Sequence, residues 1–480
     1  MRPIVTEARM KNNPFFTKAL AILAIIGLLT LALGRIGYLT EERQGRFQEA
    51  VQNIEQVQAG RQALLGPVLL RACKEEWDTV ETTGKTRITK TNQRDFTAVF
   101  TPTELKVQAG VVMEPRYRGL FKVNTYATKA NLQARWAPFR VAREQAASRL
   151  SCEPATLMIA VSDGRGIREA HVKVNGENLP VASGTRHDQH RHGFHAVLPG
   201  EWRDAPGTEV TADVSMELLG TTDLAIAPVA DDTQVQLKAN WPHPSFGGRF
   251  LPVTRDVRED GFTAAWKVSS LASTAGRDFA RGAALCRGIA SEGSRDDGET
   301  LTPAATTSNA AGCIESFGVA FIDPVNPYTL SNRAVKYGLL FIALSFVAVG
   351  MVEVLQRLRV HPIQYLLVGC ALSIFFLLLL SLSEHLPFGV SYLAASAACV
   401  ALLTFYGQHL LRGWPRGLVF GAGVGGLYGA LYVLLQMEQT ALVIGSLLLF
   451  AVLTTVMVLT RRVDWYALLR GGVASQTPTE

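Results

Sequence analysis

RVHPIQYLLVG, residues 359–369, joins two of five apolar runs that fill the last third of the chain. A bilayer is crossed by about 20 predominantly apolar residues in a helix. The runs at 337–355, 363–383, 388–407, 417–435 and 440–460 each meet that length, and a further run lies at 19–39. The chain therefore reads as a polytopic membrane protein. Between its first and second spans lies a polar stretch of roughly 300 residues, enough for a domain with its own core.

Lysine and arginine set the orientation, because short loops rich in them stay on the cytoplasmic side. Arg2, Arg9, Lys11 and Lys18 precede the first run. Arg357 with Arg359, Arg412 with Arg416, and Arg461, Arg462 and Arg470 then fall on that same side. The two opposite loops, 384–387 and 436–439, contain neither residue type. Both termini are expected in the cytoplasm, with residues from about 40 to 336 outside. A cleavable signal peptide is the competing reading of the first run, through Lys18 and the small residues Ala32 and Gly34. The run is long for a signal core, and Arg35 and Tyr38 extend it as interfacial anchors, so an uncleaved span is favoured.

The expected plan is a cytoplasmic tail (1–18), an anchor (19–39), an outer β-rich domain (40–336), a five-helix bundle (337–460) and a second tail (461–480). Within the outer part, Phe47, Val51, Ile54 and Val57 repeat at helical spacing up to about residue 63. Beyond Gly66-Pro67, short β-prone runs separated by turn residues dominate as far as about residue 270. Residues 97–100, 119–126, 155–161, 171–174, 193–198, 209–218, 223–227, 234–237 and 262–268 are expected strands, and an antiparallel sandwich is the natural way to pack them. The Ser-, Thr- and Ala-rich stretch 290–312 is expected to be an exposed, disordered loop, and 471–480 a disordered tail.

The net charge of +6 belongs largely to the cytoplasmic anchors, where it faces anionic headgroups. No basic stripe interleaves with aromatics, so nucleic acid is not an expected partner and the lipid bilayer is. Cys370 and Cys399 lie inside spans and read as apolar filler. Cys73, Cys152, Cys286 and Cys313 lie outside, where an oxidising compartment permits disulfides in three connectivities. Cys286–Cys313 is preferred, because it closes the polar loop between them.

The helical part resembles the CreD family of bacterial inner-membrane proteins. The strings that carry the likeness are NRAVKYGLLF (332–341), HPIQYLLVG (361–369), LLLSLSEH (378–385), LYVLL (431–435), ALVIGSLLLF (441–450) and DWY (464–466). In the outer part RGLF (118–121), SDGRGI (162–167) and WPHPSFGGRFLP (241–252) fit as well. The resemblance implies an inner-membrane protein tied to envelope integrity, controlled by an envelope-stress two-component system and connected with colicin tolerance and β-lactam response. It brings no catalytic mechanism and no cofactor. The histidine-rich segment 186–195 and the four outer cysteines are not features of that resemblance.

Several clusters could carry chemistry. Glu384 and His385 after one span and Glu438 after another would meet at the outer membrane face, where a low dielectric could shift pKa values, relay protons or hold a cation. Ordinary loop polarity is the plainer reading. Gly417, Gly421, Gly425 and Gly429 recur every four residues, a small-residue face for close helix packing within the bundle or against a second copy. GAGVGG (421–426) matches a dinucleotide fingerprint only formally, since it lies within an apolar span. Glu353 stands four residues before Arg357, an ion-pair spacing. His187, His190, His192 and His195 with Asp188 could bind metal, but His192 and His195 are expected on opposite strand faces, and a solvated hairpin loop with no metal is favoured. The stretch WPHPSFGG (241–248) reads as a sandwich corner burying Trp241 and Phe246, or else as a ligand-binding loop. No Walker A, G-x-S-x-G, H-E-x-x-H or C-x-x-C motif occurs. The expected function is thus a non-enzymatic envelope scaffold that binds a protein or cell-wall partner. A transporter using the polar cluster, and a membrane-tethered enzyme acting on cell-wall or lipid material, are the alternatives.

Overall fold

The computed structural model describes residues 14–83, 86–145, 147–199, 209–286, 288–289, 313–323, 327–356, 360–410, 413–437 and 441–461. The chain divides into two compact units, residues 49–324 and residues 1–48 with 325–480. The expected loop 290–312 and most of both tails lie outside the described residues, as do Glu438, Arg357, Arg359 and Arg412.

In the first unit two large sheets share one core. The nine-stranded sheet is organised around Gln62–Thr83. The apolar run ALLGPVLL (63–70) at its start is buried at every position. A strand covered on both faces needs such a run rather than alternation. Leu64 and Leu69 join the shared core, while Leu65, Val68 and Leu70 face a second core with Met158, Ala160, Phe279 and Ile314. Residues 64 and 69 would point oppositely in a regular strand. A register shift between Leu65 and Val68, at Gly66-Pro67, restores the parity. The same strand runs on beyond the sheet as a long ribbon with Thr86–Phe100.

The eight-stranded sheet follows the opposite rule. Glu104–Met113, Thr125–Trp136, Val210–Thr221, Asp232–Ala239 and Gly261–Ser269 alternate buried and exposed residues along most of their length. Their inner residues supply Leu105, Leu132, Trp136, Val214 and Trp266 to the shared core. The sheets are mixed rather than purely antiparallel as expected. Gln62–Thr83 pairs in parallel with Asp223–Ile226, and Glu104–Met113 with Asp232–Ala239. Parallel pairs need long connections between partners, and this unit has the chain length for them. Residues 119–126, expected as one strand, are broken by a turn at Gly119 and again at Asn124.

The helices, in chain order, are α1 (Pro14–Val57), α2 (Ala275–Ala280), α3 (Pro327–Lys336), α4 (Gly338–Gln356), α5 (Pro362–Ser383), α6 (Phe388–Leu410), α7 (Trp414–Gln436) and α8 (Ala441–Thr460). Among the described residues four are long and apolar enough to cross a membrane, namely α1, α5, α6 and α7. The pair α3 and α4, bent by 45°, makes a fifth if it counts as one span. The apolar stretch of α8, Val443–Val458, is shorter. A membrane protein with a large β-rich region follows from these elements.

HPIQ (361–364) turns out to be a helix start. The His361 ring accepts from the Ile363 N–H at 3.3 Å, Gln364 Oε1 accepts from the His361 N–H at 2.9 Å, and Pro362 occupies the first turn. This reciprocal arrangement satisfies donors that a helix N-terminus otherwise leaves open. One turn on, the Tyr365 hydroxyl donates to Glu353 Oε2 at 2.9 Å, and Lys18 pairs with the same carboxylate. Glu353 thus has two partners that its spacing to Arg357 did not suggest. Side-chain packing around Phe375, Phe376, Tyr392 and Tyr428 fills the bundle.

Candidate functional site

Within the β unit, polar side chains gather around SDGRGI (162–167) and the last turns of α1. The cleft there encloses about 480 Å³ and is lined by Glu55, Arg61, Ser162, Asp163, Arg165 and His192, among others. Helix α1 ends at Val57 without a basic residue in its final turn. Its terminal carbonyls therefore need donors from elsewhere. Arg165 supplies them: its guanidinium donates to the Gln56 carbonyl and, at 2.9 Å, to that of Glu55. A cation at this end also suits the helix dipole.

Asp163 holds Arg165 in place. Its Oδ1 accepts from Arg165 Nε at 2.9 Å and from the Arg165 N–H at 3.1 Å, and its Oδ2 accepts from the Gly60 N–H at 3.0 Å. Burial alone would raise this carboxyl, but the bonds from Arg165 and Gly60 outweigh it and hold the pKa down at about 2. Gln62 Nε2 bridges the Asp163 and Leu219 carbonyls at 3.0 and 2.9 Å. A Cβ on Gly166 would lie 2.4 Å from Leu219 O and 2.5 Å from Gln62 Nε2, so only glycine fits beneath the loop. The motif, which the sequence supplied only as a family string, is a clamp on a helix end.

Beside the clamp, Asp223 is buried, with Arg61 Nη1 3.9 Å from its Oδ2. Burial pushes its carboxyl up to about 7, against the lowering effect of Arg61 and the Ile289 N–H. Further along the strand Gln62–Thr83, within the ribbon, Glu75 is buried. It accepts from Ser148 Oγ at 2.6 Å, from the Glu144 N–H at 2.9 Å and from Arg94 Nη2 at 2.9 Å, and the Ser148 bond leads in lowering its pKa. Cys73 and Cys152 stand opposite each other in register and are disulfide-bonded. Cys286 and Cys313 form the second disulfide, beside the short parallel pair of Ala284–Leu285 with Cys313–Ile314.

The histidines divide. His190 and His195 are buried, whereas His192 is exposed. The rings of His187 and His190 lie 5.1 and 5.2 Å from that of Phe279. His195 Nδ1 lies 2.6 Å from the Gly184 carbonyl. Burial pushes His190 down to about 4 and lowers His187 too. The segment is a hairpin loop between Val181–Ser183 and Gly193–Val197, with Arg186, Asp188, Gln189, Arg191 and His192 exposed as expected, while His187 and His190 turn inward onto Phe279 of α2. No group of three or more metal-ligating side chains occurs among the described residues. Trp241 is half-buried, and its Nε1 donates to the His243 and Ile322 carbonyls at 3.0 and 3.2 Å, while Phe246 packs edge-on against Trp266.

In the helical unit Glu384 lies 3.5 Å from Arg43 Nε and is largely buried, with a side chain 12% exposed. Glu438, expected beside it with His385, is outside the described residues. The glycine series shows a gradient. A Cβ at Gly417 would strike the Gln408 backbone at 2.7 Å, and one at Gly421 would strike Thr404 Oγ1 at 1.9 Å. Gly425 makes only ordinary contact with Val400, and Gly429 faces open space. Four residues overshoot one turn by about 40°, so the series drifts off the α6 contact over its length. Among the described residues of the helical unit, the tightest glycine outside that series is Gly369, where a Cβ would lie 2.2 Å from Leu29 Cδ1. Its signal was the last letter of HPIQYLLVG.

Residues 14–466 match the family model described as "Inner membrane protein CreD". The inner membrane protein CreD of Escherichia coli (strain K12) is 33% identical over 466 residues, 95% of each chain. Among solved structures, an M1 zinc metallopeptidase from Deinococcus radiodurans aligns over 35% of this chain and 38% of its own, at 11% identity and a TM-score of 0.18. Nothing about this chain follows from a likeness that slight.

Proposed function

The chain belongs to the CreD family of inner membrane proteins, and from that premise we propose that it maintains envelope integrity as a non-enzymatic binding body. In this reading six helices anchor it, both termini face the cytoplasm, and the β unit stands in the periplasm, where it engages an envelope component under stress. Colicin tolerance and β-lactam response are the phenotypes the reading assigns to it.

One observation carries the reading: most of the charged groups placed where they could do chemistry are committed to holding structure, the exception being buried Asp223, whose Oδ1 has no hydrogen-bond partner among the described residues. Asp163 and Arg165 close the end of α1, Glu75 is saturated by backbone and hydroxyl donors, and Glu384 is matched by Arg43. A conduction path would need Glu384 exposed to a moving ion, and an enzyme would need such groups aimed at a substrate. Two experiments test the proposal. A strain lacking the protein should become sensitive to envelope stress and be rescued by the intact chain; unaltered sensitivity overturns the function. A reporter fused after Arg412 should be active only in the cytoplasm, and periplasmic activity overturns the orientation.

A further inference from the structure

The eight-stranded sheet gives one face to the shared core and the other to solvent, and that outer face holds two adjoining cavities. They enclose about 800 and 650 Å³ and adjoin across Gly110, Lys129 and Lys238. Register places Lys238 beside Gly110 and Gly110 beside Lys129 on neighbouring strands. Parallel to that row, one pleat along, Gln236, Gln108 and Asn131 stand side by side, all exposed.

Gly110 has no structural reason to be glycine. It sits inside a strand in ordinary extended conformation, and a Cβ there would meet nothing within 4 Å. Glycine in a strand interior weakens the strand, and one marks a place where another molecule comes close to the backbone. Adjacent strands are about 4.8 Å apart, so the two lysines flank a bare floor about 10 Å wide. Three of the four acids at the rim are engaged by arginines, Glu217 by Arg168, Asp256 by Arg258 and Glu114 by Arg116, and the fourth, Asp260, lies on the strand-end turn beside Arg258. Among the described residues neither Lys129 nor Lys238 has an ion-pair partner.

We propose that this groove binds a carboxylate-bearing sugar chain lying across the strands, its hydroxyls on the amide row and its acidic groups on Lys129 and Lys238. Primary amides both donate and accept, as hydroxyls do, and ammonium groups complement carboxylates. An extended peptide is recognised by adding to a sheet edge, where backbone groups are unpaired. This groove lies on a face, where every strand is already paired and only side chains are offered. The inference deepens the reading of the β unit as a binding body and rests on it.

The test uses the full chain in lipid nanodiscs, titrated calorimetrically with a tetrasaccharide of alternating N-acetylglucosamine and N-acetylmuramic acid. Chitotetraose, the same backbone without carboxylates, and poly-glutamate serve as comparisons. The acidic tetrasaccharide should bind, chitotetraose should bind more weakly, and Gly110→Leu should weaken binding about tenfold or more while the thermal unfolding midpoint holds. Lys129→Met and Lys238→Met should each cost several-fold and remove part of the salt dependence. Absence of binding, indifference to Gly110→Leu, or equal binding of poly-glutamate overturns the inference. If the intact chain rescues the deletion strain yet binds no sugar, the groove assignment fails alone; if it does not rescue, the functional reading fails with it.

Discussion

The two sheets of the β unit draw on similar apolar residues and put them to opposite uses. Around residues 63–70 the nine-stranded sheet is covered on both faces, by the shared core and by a second core built on Phe279. The eight-stranded sheet has one covered face and one wet face. A doubly covered sheet leaves few positions free to change without loss of packing. A singly covered sheet keeps half of its positions free, and a binding surface can be written there without disturbing the fold.

The largest effect should come from uncovering the first sheet. Phe279 is fully buried, and Phe279→Ala removes the centre of the second core. Loss of about 3–5 kcal/mol is expected for an aromatic truncated in such a site. Thermal unfolding of the full chain, followed through its strand circular dichroism, measures it. The same change removes the ring beside His190, whose pKa should climb from about 4 towards its ordinary 6.5. A stability change below about 1 kcal/mol would mean that this face is not truly closed.

Next comes the buried carboxyl of that sheet. The folded-state pKa of Asp223 lies near 7, above its ordinary 3.8, so between those values the folded chain holds a proton that the unfolded chain has released. Stability from this group is present at low pH and declines as pH rises from about 4 to about 7. Asp223→Asn removes that decline and should stabilise the chain at pH 8 by about 3 kcal/mol. Arg61 can lose its partner cheaply, since half of its side chain is in solvent (50% exposed). Unfolding midpoints across pH for both proteins decide the matter, and parallel curves would refute it.

Legibility in the sequence followed the same division. Alternation at 262–266 was plain, because a singly covered strand must alternate. Glu104–Met113 escaped notice although its pattern is as regular: Ala109 and Gly110 dilute its β character, and the groove floor is the reason for the glycine. The run 63–70 could be seen to begin something extended, yet nothing in it says which leucine faces which core. A bulge sets that parity, and its partner strand lies some 90 residues away in sequence. The apolar helices were readable because a bilayer demands length and composition together. The clamp at SDGRGI was not, since its meaning depends on carbonyls at residues 55 and 56. The inward turn of His187 and His190 from their hairpin loop was not legible, because α2, whose Phe279 receives them, is only six residues long and carries no strong pattern.

Asp163 supplies the opposite slope to Asp223 with a smaller amplitude. Its pKa falls from 3.8 to about 2 on folding, so its contribution is present above pH 4 and is lost as pH drops towards 2. Water reaches part of the clamp and screens the charge, which reduces the expected contribution to about 1 kcal/mol. Asp163→Asn should flatten the acid limb of the stability curve and leave the limb above pH 5 parallel to that of the unaltered chain. A change confined to the alkaline limb would break the assignment of the two slopes to two residues.

The smallest effect belongs to the wet face, and it sharpens the comparison most. Leu105 and Lys106 are neighbours on one strand and point to opposite sides of it. Leu105 is fully buried in the shared core, so Leu105→Ala belongs in the same class as Phe279→Ala. Lys106 pairs with Glu104 at 2.7 Å in the open, its side chain 49% exposed. An exposed pair of that kind contributes little, because solvent screens it and two long side chains must be held still. Threonine suits a strand at least as well as lysine. Lys106→Thr should therefore move stability by less than about 0.5 kcal/mol in either direction, and it should leave sugar binding intact, since Lys106 lies outside the row formed by Lys129, Gly110 and Lys238. If Lys106→Thr proved as costly as Leu105→Ala, the outer face would be a buried surface, and no ligand could be laid along it.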